Sequence, residues 1–100
     1  MQLVKVLLPL FLVSSLYSVS GSTLYKQKCK SCHGVKAERK AMGKSKVIKG
    51  MSVVSIEKDM RAYASGKRKA TSYVSKIKKS FLKKYSKKEL RDLSIYIHSL

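Results

Sequence analysis

An all-α fold is predicted from three observations on this 100-residue chain. Apolar residues recur at helical spacing through the C-terminal half. Serine-led patterns mark two helix starts. No stretch alternates apolar and polar residues as a half-buried strand would. The length allows one domain.

The first helix is expected over residues 23–31, with Ser22 or Thr23 as its cap. A loop follows over residues 34–50, with Gly34, Gly43 and Gly50 and several lysines. The second helix follows Ser52 as N-cap. It places Val53, Ile56, Met60 and Tyr63 on one face and stops at Gly66, a glycine in the usual C-terminal position. A third amphipathic run covers residues 73–84, with Val74, Ile77 and Phe81 on one stripe. The last helix opens on Ser86-Lys87-Lys88-Glu89, a capping box in which serine and glutamate each satisfy a free backbone amide. Leu90, Leu93, Ile97 and Leu100 then form its apolar stripe.

Residues 1–20 read as a cleaved secretory signal and residues 21–100 as the domain. Lys5 precedes an apolar run over residues 6–13, broken only by Pro9, and the small-residue end Ser18-Val19-Ser20-Gly21 follows. The cut is expected after Ser20. The apolar core is shorter than the ~20 residues a spanning helix needs. The expected location is therefore periplasmic. A domain this small needs a staple such as a disulfide, a metal or a prosthetic group. Two cysteines outside the cytosol pair with each other unless something else claims them.

The net charge is +18. Such a balance speaks of partners and solubility rather than fold. In a cytosolic chain it would point to nucleic acid. After an export signal no nucleic acid is expected, and acidic proteins or an anionic membrane surface remain. Residues 67–88 hold ten basic side chains and no acidic one. That run reads either as a docking face for an acidic redox protein or as a basic surface kept for solubility. A monomer is expected.

Cys29-Lys30-Ser31-Cys32-His33 is the C-x-x-C-H pattern of covalent haem attachment. One helical turn lets two thiols reach the two vinyl groups of one haem, and the adjacent histidine then lies under the iron. The haem would also supply the large apolar centre that a small domain lacks. A zinc site would need two more ligands, and the only other histidine is His98. A thioredoxin-like pair wants a βαβ setting, and a plain disulfide would leave His33 unexplained.

The chain resembles the small periplasmic class I cytochromes c, which are monohaem electron carriers. The resemblance rests on Leu24-Tyr25-Lys26, Cys29 to Gly34, Ala41-Met42-Gly43, the loop from Lys46 to Gly50, Tyr63-Ala64-Ser65-Gly66 and Tyr85 to Leu90, all in the family's order. It implies short helices around one covalent haem c with its iron, and a crossing of the first and last helices for which Leu24 and Leu93 are suited. It also implies that a loop carbonyl receives the ring N–H of His33. Val47 stands where the family usually has a proline, and its carbonyl can serve.

The family's other axial ligand is a methionine shortly before the last helix, and this chain has no methionine after Met60. Met42 and Met51 fall in the loop on the His33 side, and Met60 reads as a core residue of its stripe. Counting back from Ser86 reaches Lys78, which also borders the stripe of Val74 and Ile77. Lys78 is thus a sixth-ligand candidate beside an open or water-filled position. Met60 is less favoured, and so is His98, which lies off the apolar stripe of its helix. The expected function is electron carriage by iron cycling between Fe(II) and Fe(III), with no enzymatic activity, since no distal acid or base is evident. The alternative is a haem protein that binds or senses a small ligand at a site without methionine.

Overall fold

The computed structural model describes residues 18–41 and 46–100. Most of the expected signal, together with Met42 and Gly43, lies outside the described residues. Helix formation starts earlier than the cap pattern indicated. Ser20 rather than Ser22 or Thr23 is the N-cap of α1 (Gly21–Lys28), and its Oγ accepts the Thr23 amide at 3.3 Å. Gly21 explains the earlier start: it has no side chain, so the first turn can lie directly on the chain around Asp92.

The expected single helix over residues 23–31 is broken at Cys29, whose φ of −122° departs from helical geometry. A short α2 (Lys30–His33) follows. The break is shallow, since Cys29 N–H still donates to Tyr25 O at 3.0 Å and His33 N–H to Cys29 O at 2.9 Å. The two thiols and the imidazole therefore sit on consecutive turns of nearly continuous helix.

The remaining helices follow the sequence signals closely. They are α3 (Val53–Ser65), α4 (Ser72–Lys84) and α5 (Lys87–Ser99). Ser52 caps α3 through the Ser55 amide, and Gly66 ends it in the left-handed region at φ 83°. Both halves of the Ser86–Glu89 capping box are made. No strand occurs among the described residues.

Helix α1 packs on α5, and α3 packs on both α4 and α5. Leu24 and Leu93 are fully buried in one core with Tyr25, Ile56, Leu90 and Ile97. Burying each large apolar side chain contributes about 1.5–3 kcal/mol. Ser94 is also fully buried within the α5 stripe, and its hydroxyl donates to Leu90 O at 2.9 Å, which offsets the cost of burial. A buried carboxylate, Glu57 on α3, meets Arg91 of α5 at 3.3 Å. On α4 only Phe81 of the expected stripe is buried. Val74 and Ile77 are half-buried because they face a cavity.

Candidate functional site

The cavity has a volume of about 420 Å³, within the ~300–1,000 Å³ typical of cofactor and ligand sites. Its apolar wall includes Ile48, Ile56, Val74, Ile77, Leu93 and Ile97. Cys29, Cys32 and His33 also line it, presented by the α1–α2 turn, and Lys78 enters the same lining from α4.

Both cysteines are free thiols, Cys29 buried and Cys32 half-buried. Burial pushes the Cys29 thiol upward, the neighbouring Cys32 adds to this, and Lys78 opposes it. His33 is lowered to about 4, first by burial and then by the Lys78 ammonium, offset in part by the nearby Arg39 main chain. Its ring is therefore neutral at neutral pH, the form that binds a metal. Its Nδ1 is buried and makes no hydrogen bond among the described residues.

The bond expected from His33 to the Val47 carbonyl is not made. Segment 46–51 is pinned instead through the Lys49 amide to Ala37 O at 3.0 Å, and Val47 is 39% exposed. Of the basic residues in 67–88, Lys78 alone is half-buried and the others are exposed. Met60 has the core position expected of it, at 8% exposure, and it also lines the cavity, as does Met51. His98 is exposed, with Nδ1 2.9 Å from Met51 O, and does not line the cavity.

Residues 18–100 match the family model for cytochrome c. The chain belongs to the cytochrome c family. It is 42% identical over 72 residues to a cytochrome c-553 of Helicobacter pylori, a match covering 72% of this chain and 70% of the relative. It is 31% identical over 93 residues to a cytochrome c-553 of Nitratidesulfovibrio vulgaris, covering 90% of this chain and 85% of that one.

Membership of the cytochrome c family brings one covalently bound haem c with its iron. The residues of this cytochrome fit such a group. Two unpaired thiols and a buried, neutral imidazole share the wall of a largely apolar cavity. No group of three or more His, Cys, Asp or Glu side chains gathers as a metal site among the described residues.

Two features of the cytochrome's site were missed by the sequence reading. Asp59 lines the cavity and holds Lys46 at 2.7 Å and Arg68 at 2.8 Å, so it ties the segments before and after α3 to that helix. The only signal for it was scarcity, since the chain has five acidic residues. Tyr25, fully buried, donates its hydroxyl to Gly34 O at 2.6 Å and so fixes the exit from α2 just past His33. Its place four residues before Cys29 was legible, but its partner was not.

Proposed function

We propose that this cytochrome c is an exported, periplasmic electron carrier rather than an enzyme. Cys29 and Cys32 would form the thioethers, and His33 and Lys78 would supply ligands to the iron. The observation that carries this reading is the shared wall of one cavity by Cys29, Cys32, His33 and Lys78. When bound, the haem supplies an iron that alternates between Fe(II) and Fe(III). The chain's own residues tether it, ligate it, and surround it with apolar side chains that limit water. Lys78 is singled out by its burial among exposed lysines. An amine binds iron only after losing its proton.

The basic run over residues 67–88 supports docking to an acidic redox protein or an anionic membrane surface. Attraction at long range speeds encounter while the contact itself stays small. Cys32 also lines a second hollow, together with Lys28, Lys76 and Lys84. Positive charge around this hollow would favour the approach of an acidic partner.

A denaturing gel stained for haem tests attachment. The wild-type band should stain, and the double variant Cys29→Ala with Cys32→Ala should not. Staining lost from the wild type after acid-acetone extraction would refute covalent attachment. A second reading, a haem protein that binds a small ligand, is favoured by the absence of any methionine after Met60. It is separated from the first by the spectrum discussed below.

A further inference from the structure

The chain just ahead of α1 takes part in the fold, although the sequence pattern assigned it to a removed leader. Val19 N donates to Glu89 Oε2 at 2.9 Å, and the Val19 side chain packs partly buried against the core. The other oxygen of the same carboxylate accepts the Ser86 amide at 2.9 Å in the α5 capping box. Ser20 caps α1 through the Thr23 amide, hydrogen-bonds the Thr23 hydroxyl at 2.9 Å, and its carbonyl accepts the Leu24 amide at 3.0 Å.

A cut after Ser20 would remove every contact made by Val19 and Ser20 and leave only the Ser86–Glu89 bond. It would also leave a charged ammonium on Gly21, a buried residue, at the positive end of the α1 dipole, where a cation is disfavoured. A cut two residues earlier keeps both residues and creates a cation beside a carboxylate.

We propose that processing leaves Val19 as the first residue of the exported chain, with its new α-ammonium group paired to Glu89. The proposal rests on the export reading above. A leader peptidase hydrolyses the Ser18–Val19 amide. The oxygen of water joins the Ser18 carbonyl carbon, Ser18 departs as the carboxylate end of the leader, and the amide nitrogen becomes the Val19 amine, which takes up a proton. Ser18 supplies the small residue required just before the cut; Leu16 departs from the small residue preferred at the second position, so the contacts of Val19 and Ser20, not the leader pattern, carry the choice. The Glu89 carboxyl already lies below its ordinary range, through the Ser86 amide first and the Val19 amide next, so it is charged when the amine appears. One carboxylate then joins the N-terminus of the mature chain to the start of its last helix.

The test is the intact mass and N-terminal sequence of the haem-loaded protein purified after export from the full chain. Val19 as the first residue is expected. Gly21 or any other internal residue would overturn the proposal and leave export standing, whereas an uncleaved Met1 would overturn both. A variant, Ser20→Phe, separates the cuts independently, with Ser18→Phe as the control that blocks processing either way. With the cut after Ser18, Ser18→Phe blocks processing and Ser20→Phe does not. With the cut after Ser20, both block it. The ion pair is read from acylation of the α-amine at neutral pH. Glu89→Gln, which keeps a hydrogen-bonding side chain, should raise the rate several-fold, and an unchanged rate would overturn the pairing.

Discussion

Gly21 lies against the main chain of Asp92 where α1 meets α5. A methyl group built on Gly21 would run into the Asp92 carbonyl, 2.6 Å from its carbon and 3.0 Å from Leu93 N. These atoms are backbone and cannot rotate away. The two terminal helices therefore touch main chain to main chain, and Leu24 and Leu93 close the core beneath them.

Gly21→Ala should accordingly force the helices apart. Overpacking of this kind costs about 1–3 kcal/mol. In a domain this small each 1 kcal/mol lowers Tm by roughly 4–8 °C. Thermal unfolding of the haem-loaded protein measures the effect, and an unchanged Tm would mean that the crossing tolerates a side chain.

Tyr25 carries a stability contribution with a defined pH dependence. Its hydroxyl is raised from 10.0 to about 12, chiefly by burial. A raised value in the fold means that the neutral form is favoured there. The contribution is complete below about pH 10 and is lost as pH rises through about 12. Tyr25→Phe removes the bond to Gly34 O and should cost about 0.5–1.5 kcal/mol at neutral pH. Denaturant midpoints of the two proteins should differ at pH 7 and converge toward pH 12. A gap that stays constant to pH 12 would contradict this.

The sixth ligand is accessible to spectroscopy. With Lys78 bound, the ferric protein should be low-spin near neutral pH and lack the near-infrared band of sulfur-to-iron charge transfer. Acid should turn it high-spin, since protons compete with iron for the amine. Lys78→Ala should be high-spin at neutral pH, while Lys79→Ala, at an exposed position, should not. The near-infrared band in the wild type would instead place Met60 or Met51, both cavity-lining, on the iron. A high-spin wild type that takes up carbon monoxide or cyanide readily would favour the ligand-binding reading.

Exchange of electrons with an acidic partner should slow steeply with added salt. Screening shortens the reach of charge from about 30 Å at 0.01 M to about 10 Å at 0.1 M salt. The run over residues 67–88 presents its basic side chains outward, Lys78 apart. Stopped-flow rates across this range measure the effect, and a flat profile would mean that the charge does not steer encounter.

The helices and the attachment motif were legible in the sequence because both depend on short-range rules. Capping at Ser52 and Ser86, the left-handed stop at Gly66 and the stripe of Leu90, Leu93 and Ile97 involve residues only a few positions apart. The spacing of Cys29, Cys32 and His33 likewise places three groups on adjacent turns without help from the rest of the chain. The start of α1 was misplaced because the choice between Ser20 and Ser22 depends on Asp92, far along the chain. The same distance hid the Val19–Glu89 bond. Val47 was assigned by position in the loop, but the course of that loop is set by Lys49 on Ala37. Lys78 was one of many lysines in sequence, and only the packing of α4 on α3, which sets Lys78 in the wall of the cavity, gives it a different exposure from its neighbours. Local pattern thus determined which groups this cytochrome carries and on which helices. Tertiary packing decided which of them face one another, because burial and charge pairing act between segments that the sequence holds apart.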